Sequence, residues 1–475
     1  MKRPNIEPEQ KALEINLDDK IYGTFSEIGA GQEVARYFFQ AGAAAGTIAK
    51  TMSAYDKIYS DEIYGPEPSG RYVCESRIYK MLDHEYELIE NRLQNERPDT
   101  NFFVFADTIA ALNFHRTITG DGWLGLRFQL SPRGKTNDIV LHVKMLDNDT
   151  LLQQQAVGIL GTNLIYACYK YAHNAELLVE SLIDSLKGRI AIDMIRITGP
   201  NFPDLDNRWL SLMLVKHNLS DVAMFDSDKK NQHPSEFLYR KSVLVVRGSF
   251  RPPTLVNQDM IVKAWEQFRN EKIVDPKKSF LIAEITLDNL RGNNGEIDPK
   301  DFLDRAELLC AMGLTVAITN CEQHEKLLHY LSDYKVPRIG LVIGAQPLEK
   351  LIRNKYTDNN NSGRILASFG ELFRGIVKMY VYPMMQEGSS EVINSKNLPV
   401  PEGVRFLYQH LLESGQIVDV EKFDSEILHI YSKEVLALVQ SDNGDWESLV
   451  PEKVAKVIKE QFLFGFPSQK LEFKY

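Results

Sequence analysis

Short apolar runs alternate with amphipathic helical patterns in the second half of the chain. Apolar strands that alternate with helices are typical of βα units, in which helices cover both faces of a parallel sheet. The pattern therefore predicts a largely parallel sheet followed by a mainly helical C-terminal part. The apolar runs cover residues 280–285, 314–320, 338–344 and 377–383, and the helical patterns between them cover 299–312, 322–334, 347–356 and 365–373.

The first half of the chain shows a different pattern. Alternating apolar and polar residues at 124–130 and 138–146 predict an antiparallel hairpin, and runs at 101–105 and 189–198 predict two more strands. Residues 38–58, rich in Ala and Gly, are predicted to form a helix.

The predicted fold class is therefore α/β, with a mixed N-terminal domain and a C-terminal domain that contains a largely parallel sheet and a helical tail. We expect an N-terminal arm at 1–20, a mixed α/β domain at 21–274 and a βα-type domain at 275–475. The boundary is predicted near Asp275, where a proline follows a change of pattern.

A glycine turn (residues 29–32) joins a predicted strand to a predicted helix within the segment YGTFSEIGAGQEVARY. Glycine permits positive φ and close approach of backbone amides to a ligand, and a helix N-terminus favours an anion. We predict that Gly29, Gly31 and Gln32 bind the phosphate of a small molecule, with Arg36 as counter-charge. The alternative is a plain tight turn, which needs the glycines only for their φ angles.

Composition and charge narrow the function classes. The chain has 475 residues, is 44% hydrophobic and carries a net charge of −10, which is ordinary for a soluble protein of two or three domains. Lys and Arg are scattered among acids without a basic stripe, so binding to nucleic acid or to a membrane surface is not expected. The uncharged stretch at 151–169 contains Gln and Gly residues, which favours a buried helix over a membrane span. The N-terminus is polar without an apolar signal segment, so we expect a cytoplasmic protein.

Metal and disulfide chemistry are not indicated by the sequence. The cysteines show no C-x-x-C spacing, and the ten histidines form no metal-binding pattern. We therefore expect free thiols and no metal site, and the sequence indicates no particular cofactor. The cysteines are Cys74, Cys168, Cys310 and Cys321.

A few charged residues lie in or after predicted strands. Asp107 follows the run at 101–105, where α/β proteins often place functional carboxylates, although a helix-capping role is the favoured interpretation. Arg196, Arg247 and Arg251 are candidates for contact with an anion, but a structural ion pair is the commoner role of such arginines.

Several segments are similar to one widespread bacterial family, and the resemblance covers nearly the entire chain. The segments include IGAGQEVARYFFQAGAAAGTIAKTMSAYDK, NFFVFADTIAALNF, VLVVRGSFRPPTLVNQDM and NLPVPEG. Members of this family are named chiefly nicotinate-nucleotide adenylyltransferase and in some cases TonB-dependent receptor. The receptor name implies an exported barrel of long alternating strands, which this helix-rich pattern does not match.

The adenylyltransferase name implies two motifs. One is G-x-F-x-P-x-H-x-G-H, whose histidines stabilise the charge on the transferred phosphoryl group, and the other is I-S-S-T-x-x-R. Neither motif occurs here, so the resemblance assigns no catalytic residue.

The favoured interpretation is a nucleotide- or phosphometabolite-binding protein of nucleotide (nicotinate/NAD) metabolism, and whether it is an enzyme stays open. The alternative is a non-catalytic structural or regulatory protein that self-associates. We also predict homo-oligomerisation, because Gly42 and Gly46 would form a small-residue face and an aromatic-rich tail needs an apolar surface to cover it. The tail aromatics are Phe462, Phe464, Phe466 and Phe473.

Overall fold

The structure is a computed structural model that describes residues 3–68, 70–116, 119–292, 295–357, 362–386, 391–442 and 444–467. The chain divides into two compact units, Met1–Ala223 and Met224–Tyr475. Each unit combines a main sheet with packed helices, and the predicted α/β class is confirmed.

The first unit is built on a mixed sheet of six strands in the order β2-β1-β3-β4-β5-β6. β1 pairs in parallel with β2 and β3, whereas the β3–β4, β4–β5 and β5–β6 pairs are antiparallel. The predicted antiparallel hairpin is thus confirmed as β4–β5. The strands are β1 (Ile21–Gly29), β2 (Ile48–Ala54), β3 (Asn101–Ala110), β4 (Gly120–Phe128), β5 (Asn137–Met145) and β6 (Ile190–Thr198).

Helices cover both faces of this sheet. One hydrophobic cluster joins β1 and β3–β6 to most of the helices, and a second joins the other face to α4. The predicted buried helix is confirmed as α5. Within the described residues, none of the helices has the length and apolar composition of a membrane span. The helices are α1 (Pro8–Asn16), α2 (Val34–Ala41), α3 (Lys57–Tyr64), α4 (Glu75–Leu93), α5 (Thr150–Lys170), α6 (Ala175–Leu182) and α7 (Asn207–Lys216).

The second sheet has eight strands in the order β16-β13-β12-β9-β10-β11-β7-β8. The pairs from β16 to β11 are all parallel, which confirms the predicted largely parallel sheet. β7 and β8 form an antiparallel pair, and β14 and β15 form a small separate sheet. The strands are β7 (Val222–Phe225), β8 (Asn231–Gln232), β9 (Ser242–Arg247), β10 (Ser279–Thr286), β11 (Thr315–Thr319), β12 (Ile339–Gly344), β13 (Val377–Tyr382), β14 (Met384–Met385), β15 (Val392–Ile393) and β16 (Ile417–Asp419).

Ten helices accompany the second sheet in the described part of the chain, and the last three form the predicted helical tail. Phe464 is buried in a cluster with Trp446 and Val454, and the ring of Phe466 lies 5.8 Å from that of Trp446. Phe473 lies outside the described residues. The helices are α8 (Pro234–Leu238), α9 (Leu255–Arg269), α10 (Leu287–Leu290), α11 (Pro299–Ala311), α12 (His324–Ser332), α13 (Ala345–Thr357), α14 (Ser362–Leu372), α15 (Arg405–Glu413), α16 (Ser432–Gln440) and α17 (Glu452–Gln461).

The predicted helix at 38–58 is wrong. α2 ends at Ala41 because Gly42 and Ala43 have φ angles of 86° and 59°, outside the helical region. The chain then forms β2, an edge strand that pairs in parallel with β1. The proposed small-residue helix face at Gly42 and Gly46 therefore does not exist.

The division between the units falls before β9 rather than at the predicted position near Asp275. β9 pairs in parallel with β10 on one side and β12 on the other, so it is a central strand of the second sheet. α9 packs on these strands as well. A strand with partners on both edges cannot belong to a different domain from its partners.

Candidate functional site

The glycine turn lies between β1 and α2, and its expected anion position is taken by a side chain of the same unit. The Val34 amide donates to Glu27 Oε1 at 2.8 Å, and the Ala35 amide donates to Glu27 Oε2 at 3.4 Å. These amides belong to the first turn of α2, where the helix dipole favours negative charge. Glu27 therefore supplies internally the oxygens that a phosphate would have supplied.

The remaining predicted residues of this site also have partners within the chain. Gln32 Nε2 donates to the carbonyl of Gly29 at 3.2 Å, and Arg36 forms an exposed ion pair with Glu33 at 3.1 Å. The structure thus brings Gly29, Gly31, Gln32 and Arg36 together around one turn, and binding of a phosphate there stays a prediction.

A buried carboxyl pair lies beneath the glycine turn. Asp107 is the registered partner of Glu27 on the neighbouring parallel strand, and both side chains are almost fully buried. The helix-capping interpretation of Asp107 is wrong, because β3 continues through this residue to Ala110. Asp107 Oδ1 accepts from the Ile28 amide at 3.2 Å, whereas Oδ2 has no hydrogen-bond partner among the described residues.

Both carboxyl groups have a raised pKa and therefore keep their protons to a higher pH than exposed carboxyl groups do. Burial, opposed in part by the hydrogen bonds from the helix amides, raises the pKa of Glu27 to about 7. Burial and the neighbouring Glu27 charge raise the pKa of Asp107 well above its usual value. Two carboxyl groups buried on paired residues oppose each other's ionisation.

Gly31 is needed for packing on this pair. A Cβ atom at Gly31 would lie 2.3 Å from Asp107 Oδ1 and 2.5 Å from Oδ2, and φ at this residue lies outside the positive range. The glycine is thus explained by close approach to a buried carboxyl group. That contact requires no ligand.

In the second unit, the carboxyl ends of three neighbouring strands meet in one polar network. Arg247 at the end of β9 donates to both carboxylate oxygens of Glu284 on β10, and Thr319 on β11 donates to Glu284 Oε1 at 2.7 Å. Arg247 also donates to the carbonyls of Cys321 and Glu322.

Each of the three strand arginines forms an ion pair within the chain, as the structural interpretation predicted. The pairs are Arg247–Glu284, Arg196–Glu75 and Arg251–Asp301.

A cleft of about 750 Å³ opens next to this network, between the start of α12 and helices α13 and α14. We call it the sheet-edge cleft. Lys355 joins the three helices, because its Nζ contacts Glu325 on α12 and the Ser368 hydroxyl on α14. Lys350 and Arg364 line the same cleft as exposed cations.

His324 lines the sheet-edge cleft as a neutral imidazole. Burial lowers its pKa to about 3, with further contributions from the positive charges of Arg247 and Lys355. A neutral imidazole presents one donor and one acceptor. His324 is therefore suited to a hydrogen bond with a polar ligand group and does not supply positive charge.

The loop after β9 is stabilised by the side chain of Phe250, which packs against Gly248 of the same loop. Phe250 is buried and folds back so that a Cβ atom at Gly248 would lie 2.9 Å from its ring. The pair of Gly248 and Phe250 therefore acts as a unit that requires glycine at the first position. Arg305 on α11 fixes the same loop by donating to the carbonyl of Ser249 at 3.0 Å.

This loop carries a signal that the sequence reasoning missed. Residues 248–252 read GSFRP and match the first half of the motif G-x-F-x-P-x-H-x-G-H, but Thr254 and Asn257 occupy the positions of its histidines. Thr254 and Asn257 instead form a capping box at the start of α9, with the Thr254 amide donating to Asn257 Oδ1 at 3.0 Å. The complete motif is absent because only its glycine, phenylalanine and proline are present.

No family model and no curated protein sequence matches the chain. Among solved structures, competence/damage inducible protein CihA from Agrobacterium tumefaciens has 15% identity and a TM-score of 0.25, over 35% of this chain and 98% of that one. Plasmodium falciparum nicotinic acid mononucleotide adenylyltransferase complexed with APC has 13% identity and a TM-score of 0.29, over 48% and 98%. A competence-damaged protein (CinA) superfamily protein from Enterobacter cloacae has 13% identity and a TM-score of 0.25, over 38% and 96%. Identities and TM-scores this low carry no argument about the function of this chain.

Proposed function

We propose that the second unit binds a nucleotide or a related phosphorylated metabolite in the sheet-edge cleft. The observation that carries this proposal is the strand order β11-β10-β9-β12-β13-β16. In chain order these strands follow the doubly wound 3-2-1-4-5-6 arrangement, which reverses direction between its first and fourth strands. Open sheets of this kind bind ligands outside the carboxyl ends of the strands at that reversal.

The position and size of the cleft support this assignment. Pro347, which follows β12, and Glu322, whose carbonyl accepts from Arg247 of β9, both line the cleft. β9 and β12 are the two strands between which the order reverses. A volume of about 750 Å³ falls inside the range of roughly 300–1,000 Å³ typical of small-molecule sites.

The charges of the cleft suit a phosphorylated ligand with polar groups. Lys350 and Arg364 are exposed cations on two helices, and cations of this kind neutralise phosphate oxygens. The neutral His324 supplies a donor and an acceptor, and Leu351 supplies an apolar wall. The acids Glu322, Glu325 and Glu371 also line the cleft, which favours a ligand with few negative charges over a polyphosphate.

We propose that ligand binding in the cleft is not accompanied by adenylyl transfer, because the loop after β9 lacks both histidines of the adenylyltransferase motif. In the adenylyltransferase motif the histidines stabilise the charge of the transferred phosphoryl group, and here Thr254 and Asn257 stand in those positions. Neither residue can carry positive charge, and their side chains already bond to each other. The resemblance nevertheless names the first ligand to test, which is nicotinate mononucleotide.

Calorimetric titration of the whole protein with nicotinate mononucleotide, ATP and NAD tests this proposal. We expect saturable binding of at least one of them, and at least a tenfold weaker affinity in the double variant Lys350→Gln/Arg364→Gln. The matched control is Lys456→Gln, because Lys456 is an exposed lysine of α17 outside the cleft. The absence of saturable binding to the parent protein, or equal affinities of the double variant and the control, would overturn the proposal.

The glycine turn is the second candidate for phosphate binding. It is less favoured because Glu27 already accepts from the amides of Val34 and Ala35. Binding at this turn instead of the cleft would make affinity sensitive to Arg36→Gln and insensitive to the double variant. Self-association without any small-molecule ligand is the remaining alternative. It would be favoured if none of the three ligands, nicotinate mononucleotide, ATP and NAD, showed saturable binding.

A further inference from the structure

We propose a separate binding site for a compact oxyanion, a phosphate or a carboxylate, in a cavity of about 300 Å³ in the second unit. This arginine pocket lies between the loop after β9, the residues that follow β10 and the start of α11. It is distinct in its lining residues from the sheet-edge cleft. The charged residues that line it are Arg251, Arg291, Arg305, Glu296, Asp298 and Asp301.

Arg305 lines the pocket as a buried cation. Its side chain is only 4% exposed, and its Nη1 atom donates to the carbonyls of Ser249 and Asn289 at 3.0 and 2.7 Å. Its Nη2 atom lies 2.5 Å from Asp301 Oδ2, while Nε has no hydrogen-bond partner among the described residues. The Nε atom is covered by protein atoms, so Arg305 would act on an oxyanion in the cavity through the positive charge of its guanidinium group.

Arg251 and Arg291 add accessible positive charge at the mouth of the pocket. Their side chains are 46% and 51% exposed. Arg251 contacts Asp301 through Nε at 2.5 Å, and Arg291 contacts Asp288 through Nη1 at 2.8 Å. A guanidinium group has five N–H donors, so a single contact of this kind leaves donors for a planar or tetrahedral oxyanion.

An oxyanion in this pocket would compete with acidic side chains for the arginine donors. Asp301 lies between Arg251 and Arg305 and is therefore the group whose charge an incoming oxyanion would oppose. Asp298 is occupied as the N-cap of α11, where it accepts from the Lys300 amide at 2.9 Å. Because the arginines and the acids that line the pocket are equal in number, recognition depends on the donors that Arg251 and Arg291 leave unused more than on net charge.

The cavity size limits the ligand class. A volume of about 300 Å³ is at the lower end of the range for small-molecule sites, which admits phosphate or a short carboxylate but excludes a whole nucleotide. The site is therefore a second function of the same unit and does not depend on nucleotide binding in the cleft.

The test is calorimetric titration of the whole protein with inorganic phosphate and, separately, with malonate. We expect one saturable site per chain for at least one of these probes, and the stronger of the two identifies the anion class. Arg251→Gln should weaken binding at least tenfold because it removes a charged donor from the mouth. Asp301→Asn should strengthen binding at least threefold because it removes the competing carboxylate while keeping the side-chain shape.

Arg353→Gln is the matched control, since Arg353 is similarly exposed at 57% and ion-paired, but lies outside the pocket. Circular dichroism of each variant confirms that it is folded before titration. No saturable heat with either probe, equal affinities of Arg251→Gln and Arg353→Gln, or weaker binding by Asp301→Asn would each overturn the proposal. Binding of phosphate together with failure of all nucleotide titrations would leave this site standing and remove only the proposed function of the cleft.

Discussion

Arg247 and Glu284 form a two-pronged ion pair across adjacent parallel strands, with Nε and Nη2 of the arginine 2.8 and 2.9 Å from the two carboxylate oxygens. Glu284 is 1% exposed and Arg247 is 15% exposed, so the pair is largely shielded from water. Such a pair fixes the relative positions of the ends of β9 and β10, because both hydrogen bonds require one orientation of the guanidinium plane. Because Arg247 also donates to the carbonyl of Glu322, the ion pair holds one wall of the sheet-edge cleft in position.

We predict that Glu284→Gln costs about 3–5 kcal/mol of unfolding free energy, because it leaves the Arg247 charge without its counter-ion. Thr319→Val should cost only about 1 kcal/mol, because it removes one neutral donor to Glu284 and keeps the side-chain volume. Urea denaturation of both variants, followed by circular dichroism, measures the difference. Equal costs for the two substitutions would contradict a dominant role of the ion pair.

The raised pKa of Glu27 predicts that the first unit loses stability as pH rises from about 5 to about 7. Between the usual pKa of 4.5 and the folded value of about 7, the folded state binds more protons than the unfolded state, so the unfolding free energy falls with pH. Asp107 acts in the same direction. Glu27→Gln does not titrate and should remove on the order of 3 kcal/mol of this decrease.

Urea titrations of the parent protein and of Glu27→Gln at pH 5 and pH 7.5 check this prediction. The variant keeps an oxygen acceptor for the Val34 amide, so it is expected to fold. Identical pH dependence of the two proteins would show that the buried carboxyl pair does not control the stability of the first unit.

We predict that Gly31→Ala destabilises the protein by about 2 kcal/mol, because its Cβ atom would overlap the Asp107 carboxyl group. Gly46→Ala is the control, since its Cβ atom would meet only the Asn16 carbonyl at 3.8 Å. Adding Asp107→Ala should relieve the overlap, so the double variant should lose less than the sum of the two single variants. Additive losses in thermal denaturation would contradict a direct clash.

Two neighbouring tail aromatics should respond differently to truncation. Phe464 is 6% exposed and packs in the cluster around Trp446, so Phe464→Ala should cost about 3 kcal/mol. Phe462 is 45% exposed, and Phe462→Ala should change the unfolding free energy by less than about 0.5 kcal/mol. Denaturation of both variants makes the comparison, and similar losses would indicate that Phe462 is covered in solution.

Homo-oligomerisation stays a prediction. The helix face at Gly42 and Gly46 no longer supports it, and exposed aromatic residues such as Phe462 do. Light scattering at micromolar concentration should give a mass above 54.3 kDa, the mass of one chain. The same measurement on Phe462→Ala distinguishes an interface at this residue, which would shift the mass towards one chain, from an interface elsewhere. A single-chain mass for the parent protein would show that the prediction is wrong.

The second sheet could be predicted from the sequence because its strands are buried on both faces. The buried residues Ile282, Val316, Val342 and Val381 lie in predominantly apolar runs, and each of these runs is a strand in the structure. β2 was missed because it is an edge strand, in which Ile48, Lys50 and Met52 alternate with more exposed residues and no apolar run is formed. An Ala- and Gly-rich segment of this kind is assigned to a strand only through its pairing with β1.

The candidate sites depend on relationships that a single sequence does not contain. Glu27 and Asp107 are far apart in the chain, and only the register of β1 and β3 brings the carboxyl groups together. The sheet-edge cleft depends on the pairing of β9 with β12 across intervening strands of the chain. The sequence does contain the partial motif at 248–252. It is visible only when the motif is compared without its two histidines, because Thr254 and Asn257 stand in their positions.

The central position of β9 has a consequence for the synthesis of the protein on the ribosome. β9 can pair with β10 soon after both have emerged, but its other edge is covered only by β12, whose last residue is Gly344. During the intervening translation, Val243 and Val245 belong to a strand with one open edge, and open apolar edges invite pairing with other chains. Nascent chains stalled between β11 and β12 should therefore depend more on chaperones than chains released after β12.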